Sequence, residues 1–408
     1  MNINSVPIAA TFSKDSTFWG HNFPVQYLTE GSGARVRAND GKWYLDWVSG
    51  LGAILLGYSN VEFNAAVALQ VQRGAGFSLP SYIEYEAAEK LTTLFQKQLA
   101  HWHTVPLQVR WVKTGSDACI AALRLARAVT GKKVVLSYGY HGWHADFISM
   151  TPPAHGIIPE VSGYMQSIQW NDFDSLMQYD DRDDIAAVII EQPLEEPGRD
   201  WYTALRRFCN EHQALLIMDE VVTGFRYALG GATEKYDVEP NLICLGKSLG
   251  NGYPIAALIG PREYMSWFSR NDPVFVSSTN AGDAVSLMAA NKFLEIWPEA
   301  GNLRHIWEIG EKLLTGLREV GWKVPGNPPR SVIIFDDDYE KAFFILEMVK
   351  RDILINRPNM PNLAHTKLNV IDTVTAARGI YTEMCEIGLS GVHERIGNKL
   401  PTVLFRNR

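Results

Sequence analysis

Lys247 stands alone among glycines and aliphatics in "LGKSLGNGYPI", directly after the apolar run "LIC". Burying an ammonium without a partner is costly, and desolvation lowers its pKa until part of the population is a free amine. Such an amine attacks carbonyls to form Schiff bases. A lysine that merely reaches water from a loop rim would do none of this, so its neighbours must decide. In "KTGSDA", Gly115 and Ser116 fall where a strand passes into a helix. Glycine lets a backbone N–H approach an anion, serine adds a hydroxyl, and a helix N-terminus favours negative charge. The GxxxxGK[ST] spacing is absent, so this is no Walker loop. In "MDEVVTGF", Asp219 ends an apolar run, where α/β sheets bind ligands. A carboxylate there either caps a following helix or pairs with a cationic ring nitrogen, with Val221 placed to pack on the ring. In "SYGYHGWHADF", Tyr140 can stack on a planar group. His141 and His144 are three apart, but no carboxylate or cysteine follows at ligand spacing, and no metal is expected. The "HWH" at His101 to His103 is read the same way, as an aromatic surface or interface turn.

These residues need a scaffold that brings them to one edge. From Val109 to Gly260 strand-like and helix-like segments alternate, with apolar runs in "KVVLSY", "IAAVIIEQP", "ALLIMDE" and "NLICLG". Short apolar runs separated by helices indicate a mostly parallel sheet covered on both faces. "SDACIAALRLARAVTG" has Ile120, Leu123 and Ala126 or Ala128 at helical spacing, Asp117 in the first turn and Gly131 past the end. Residues 61–98 read as helical with a break at "GAGFSLPS", and Asp40-Gly41 marks a β-hairpin. "EIWPEAGNLRHIWEIGEKLLTGLREVG" and "DDDYEKAFFILEMVKRD" read as a smaller α+β unit. The expected fold is α/β. Residues 1–60 contribute to a small domain, 61–295 form a large ligand-binding domain, and 296–408 complete the small α+β domain. A phosphate turn, a stacking aromatic, a strand-end acid and a reactive amine together suit pyridoxal phosphate (PLP), whose protonated ring nitrogen makes it an electron sink.

The stretches "LLIMDEVVTGFRYALGG", "YDVEPNLICLGKSLGNGYPIAALIG", "DGKWYLDWVSGLGAILLGYSN", "KTGSDACIAALRLARAVTGKK", "YGYHGWHADF" and "LAHT" resemble class III (fold type I) PLP-dependent aminotransferases. Among these they are most similar to glutamate-1-semialdehyde aminomutase-like proteins. The resemblance implies that Lys247 is the Schiff-base lysine and that Asp219 is the partner of the pyridine nitrogen. It places Val221 on one ring face and Tyr140, followed by His141, on the other. Gly115 and Ser116 match the phosphate-binding turn, and Glu191 matches a glutamate close to the cofactor. Thr279 matches a threonine that reaches the neighbouring subunit's phosphate, which implies a homodimer with shared active sites. The expected partners are a small-molecule amino donor and a carbonyl acceptor.

The chain departs from the aminomutases in its substrate contacts. Gln26, in "NFPVQ", stands where those proteins carry a carboxylate-gripping arginine, a loss of about 1.5–3 kcal/mol of binding to a carboxylate. Leu51 replaces a tryptophan, and "INRPNMPN" is shorter and lacks the substrate-side glutamate. Arg357 is a candidate anion contact, and Arg226 is expected to form a structural ion pair. Transamination of another substrate is therefore the first reading. An intramolecular amino shift or epimerisation is the second, and a non-catalytic PLP-fold binding protein the third. The joint presence of Lys247, Asp219, Tyr140 and the phosphate turn weighs against the third.

Bulk properties agree with a soluble enzyme. The 408 residues are 46% hydrophobic and 20% charged, with a net charge of −7 and no long basic run, so nucleic acid and anionic membranes are not expected partners. Four dispersed cysteines form no CxxC pair, and "MNINSVPIAATFSKDS" has no signal-peptide pattern. A cytoplasmic location is expected.

Overall fold

Asp40 and Gly41 reverse the chain, with Gly41 at φ 87° and the Ala38 N–H closing on Lys42 O at 2.9 Å. The strands β1 (Leu28–Ser32), β2 (Arg35–Ala38) and β3 (Trp43–Asp46) form an antiparallel meander around this turn. Val36 and Ala38 point inward while Arg35 and Arg37 face solvent, the period-two pattern of a half-buried strand. The computed structural model describes residues 23–25, 27–150, 155–356, 358–397 and 400, and Gln26 and Arg357 lie outside them.

Two compact units are present. One takes Gly52–Leu56 and Asn60–His305, and the other takes Met1–Leu51, Gly57–Ser59 and Ile306–Arg408, each over its described residues. The first contains a seven-stranded sheet of β4 (Leu107–Val112), β5 (Val134–Tyr138), β6 (Met165–Ser167), β7 (Ile185–Glu191), β8 (Leu215–Asp219), β9 (Leu242–Leu245) and β10 (Ala256–Pro261). Their order is β4-β10-β9-β8-β7-β5-β6. The sheet is mostly parallel, as expected, but β10 runs antiparallel to both β4 and β9. The central strands are apolar on both faces because helices cover both sides.

The Gly115–Thr130 helix packs on this sheet through Ala118, Ala121, Ala122 and Ala126, small residues that allow close approach. Thr114 and Asp117 cap its start reciprocally, and Gly131 ends it at φ 69°. Its buried face is wider than the stripe read from the sequence: Cys119 and Leu125 are also buried, while Ile120 is only half-buried. Residues 61–98 form two helices, Val61–Arg73 and Tyr82–Gln98, broken where expected. Trp102, read as part of an aromatic surface or interface turn, is 2% exposed and belongs to the core.

The second unit pairs β13 (Ile353–Leu354) parallel to β3, after a short ladder of β11 (Gly326–Asn327) and β12 (Arg330–Ser331). Helices Asp338–Val349 and Lys367–Ile396 belong to the same unit. Trp47, Leu313, Trp322, Phe344 and Ile380 lie in its core. Among the described residues no helix is long and apolar enough to cross a membrane. All four cysteines are free, with Cys119, Cys209 and Cys244 buried and Cys385 exposed.

Asn251 fixes a tight turn in the first unit. At φ 41° it occupies the left-handed region, and its Oδ1 accepts the N–H groups of Leu55 and Leu56, each at 2.9 Å. Asn251→Ala is expected to destabilise by roughly 2–4 kcal/mol, since two buried donors are orphaned and alanine resists that backbone. Asn251→Gly should cost about 1 kcal/mol less, because only the acceptor is lost. Urea unfolding checks the order, and an alanine variant as stable as the parent would refute it.

Candidate active site

β4, β5, β7, β8 and β9 all point their carboxyl ends toward one sheet edge, and Glu191, Asp219 and Cys244 lie side by side in register there. Asp219 closes β8 and is 2% exposed. Its Oδ1 accepts the Val221 N–H at 3.0 Å, while its Oδ2 faces His141 Nδ1 at 2.7 Å and accepts the Cys119 thiol at 3.4 Å. A buried carboxylate needs donors of this kind to remain charged. Burial works against a charge on His141, but hydrogen bonding to Asp219 and Cys119 outweighs it and lifts the pKa to about 10. Burial and the neighbouring Cys244 and Asp219 push the Cys119 thiol well up, so it stays protonated. The ligand atoms of Cys119, His141 and Asp219 lie within 4.8 Å of one another. The 2.7 Å His141–Asp219 contact and the 3.4 Å Cys119–Asp219 contact make them a hydrogen-bonded set. His144 turns instead to Asp117, at 3.5 Å, so the two histidines do not act together.

Beside this acid lies the Gly115–Ser116 turn. Thr114 accepts the Asp117 N–H, whereas the N–H groups of Gly115 and Ser116 open the helix with no intrahelical acceptor. A Cβ on Gly115 would sit 2.6 Å from Val221 Cγ1, and one on Gly142, at φ 102°, would run into Ser116 Oγ. The turn, Val221 and the Gly142 backbone are therefore packed with no room for added side chains. The Tyr140 N–H donates to Glu191 Oε2 at 3.0 Å, and the Tyr140 ring is 46% exposed. Lys247 follows β9 and Gly246, half-buried, with φ at 40°. That backbone is unusual for a side chain of its size, and such outliers gather at functional sites. Ser248 Oγ pins the next turn to Gly52 O at 3.1 Å.

The structure thus brings Gly115, Ser116, Tyr140, His141, Glu191, Asp219, Val221 and Lys247 to one edge. Thr279 stands apart on an exposed loop of the same unit. Arg226 is fully buried and donates to Gly52 O at 3.2 Å. The sequence reading gave no role to Cys119, although its place one helical turn after Gly115 puts it on the same face as the phosphate turn. A separate open cleft of about 850 Å³ lies at the opposite strand ends, lined by His101, Trp102, Arg206, Asn241, Arg262 and Tyr264, and contains none of these residues.

The class-III aminotransferase family model matches residues 18–326. A glutamate-1-semialdehyde 2,1-aminomutase of Natronomonas pharaonis is 33% identical over 342 residues, 79% of this chain and 73% of that protein. A 3-aminobutyryl-CoA aminotransferase of Cloacimonas acidaminovorans is 36% identical over 288 residues, 67% of this chain and 65% of that protein. The structure of the Sphingopyxis sp. MTA144 FumI protein in its PLP internal aldimine form superposes with a TM-score of 0.82 at 28% identity, covering 92% of each chain.

The residues present fit PLP. The open N–H groups at Gly115 and Ser116 suit a phosphate. A Cβ at Gly115 or Gly142 would collide with Val221 or Ser116, so both positions keep bare backbone at the turn. Asp219 is supplied with three donors that favour its anion. Because the His141 pKa is raised above its unfolded value, the stabilisation it brings is complete below about pH 6.5 and is lost progressively as pH rises to about 10. The stability difference between wild type and His141→Asn should therefore shrink across that window. Denaturant unfolding at several pH values measures it, and a constant difference would contradict a charged His141.

Proposed function

We propose that this chain, which belongs to the class-III aminotransferase family of PLP-dependent enzymes, transfers an amino group between a separate amino donor and a keto or aldehyde acceptor. The observation that carries the reading is the buried, triply hydrogen-bonded Asp219 set beside the open helix N-terminus at Gly115. PLP, when bound, supplies an aldehyde that takes up the amino group and a pyridinium that accepts the electron pair left at the substrate carbon. Lys247 is the residue that would hold it covalently. Its Nζ would also be the base placed to take the proton from the substrate carbon. Asp219 would face the ring nitrogen, kept anionic by His141, Cys119 and the Val221 N–H. Val221 and Tyr140 would flank the ring, and Glu191 would hold the Tyr140 backbone in place. Gly115 and Ser116 would bind the phosphate.

We further read the assembly as a homodimer in which Thr279 completes the partner's phosphate site. Exposed Phe77, Leu79, Tyr82 and Phe275 give the same unit apolar surface suited to association. Four free cysteines support a reducing, cytoplasmic setting. The substrate we favour is not glutamate-1-semialdehyde, because Gln26 and Leu51 replace the aminomutase pattern. The second reading, an internal amino shift or epimerisation, is favoured by the 33% identity to a protein of that name.

Two measurements separate these. An amino donor should convert the cofactor's visible spectrum to its amine form, and a keto acid should restore it. Solvent deuterium entering the substrate carbon without that conversion would transfer the choice to the shift or epimerisation. Borohydride should fix the cofactor on the Lys247 peptide, and Lys247→Ala should lower turnover by at least about 10³-fold. Trapping on any other lysine would end the assignment.

A further inference from the structure

The loop that carries Thr279 is flanked by two backbone ties, Val274 N–H to Trp267 O at 2.9 Å and Ala284 N–H to Ala75 O at 2.7 Å. Its internal turn bonds are long, Ala281 N–H to Ser278 O at 3.3 Å and Asp283 N–H to Asn280 O at 3.2 Å. It is instead gripped by cations from one short stretch of chain. Arg124 Nη1 donates to Phe275 O at 2.6 Å, and Arg110 Nη2 donates to Val276 O. Lys113 Nζ pairs with the Asp283 carboxylate and also donates to Pro254 O at 3.0 Å and Ser286 Oγ at 3.2 Å. Asp283 in turn caps the Ala284–Ile296 helix through the Ser286 N–H. The Lys113 and Asp283 side chains are 16% and 18% exposed, so their attraction is only partly screened by water.

The gripping residues bracket the Gly115–Ser116 turn in the chain. We propose that Arg110, Lys113 and Arg124 are positioning residues that preset the 275–283 loop, so that the phosphate contact a subunit keeps and the one it lends are built on one rigid body. This rests on the reading of Thr279 given above. Hydrogen bonds from charged donors are about twice as strong as neutral ones, and these three fasten both ends of the nine-residue loop, at 275–276 and at 283. Without them Thr279 would have to be ordered at the moment the partner's cofactor binds, which weakens that binding.

The test uses the holoenzyme dimer. Lys113→Met combined with Arg124→Gln is expected to raise the PLP dissociation constant about tenfold with unchanged far-UV circular dichroism. Arg124→Gln alone should give about threefold and serves if the double variant folds poorly. Arg124→Lys, which keeps the charge, should recover most of the loss. Mixed dimers of a tagged wild-type subunit and a variant subunit are then depleted of cofactor and treated with borohydride, and intact masses assign the retained PLP. Loss is expected at the wild-type partner's site. Loss at the variant's own site would overturn the proposal, because the cations would then only support the adjacent Gly115–Ser116 turn. If Thr279→Val acts across the interface but the cation variants do not, the clasp is wrong and Thr279 keeps its role. If Thr279→Val has no effect on PLP binding, the Thr279 reading falls and takes the clasp with it.

Discussion

The site depends on one electrostatic constraint, a carboxylate at the end of β8 that is all but sealed from water. An anion so placed is tolerated only where donors replace its hydration. Asp219 has three, and they come from three separate places: a helix residue, a loop histidine and its own following turn. Each donor is itself fixed by packing, Cys119 within the fully buried face of its helix and His141 edge-on to Phe147 at 5.3 Å. The carboxylate is therefore held in place on both oxygens, which is what a partner for a cationic ring nitrogen needs. Exchanging any one donor for an apolar group would leave the charge short of compensation.

The sheet supplies the rest. Parallel strands end together, so residues far apart in the chain meet at one rim without any of them having to reach. Glu191, Asp219 and Cys244 are in register across three neighbouring strands, and Lys247 follows the third of them. Close packing then replaces side chains with backbone where the phosphate would sit, through Gly115 against Val221 and Gly142 against Ser116. Rigidity at the cofactor and variety in the substrate contacts can coexist, because the two sets of residues lie on different segments.

Much of this was legible in the residues. Wholly apolar runs marked β5, β7, β8 and β9, and Asp117 and Gly131 marked both ends of the helix that opens at Gly115. Asp40-Gly41 marked the hairpin because only a few residue pairs fit such a turn. The direction of β10 was not legible, since an apolar hexapeptide reads the same whether its neighbours run with it or against it. The Lys367–Ile396 helix was hidden by weak amphipathicity, β-branched residues and a break at Gly388, where φ is 65°. Two of the three donors to Asp219 were hidden for another reason: they lie 78 and 100 residues away in the chain, and local pattern carries no such information. Thr279 could be picked out only through the family resemblance, because nothing in an exposed polar loop announces a ligand.

The antiparallel strand also sets a timetable for synthesis. Because β10 separates β4 from β9, the edge strand that leads into Gly115 has no place to dock until Pro261 has left the ribosome. A nascent chain can assemble the inner strands earlier, but the strand that leads into Gly115 stays unpaired until β10 is in place. The sheet thereby completes its edge only in the closing stage of this unit's folding, when the last of its seven strands has been made.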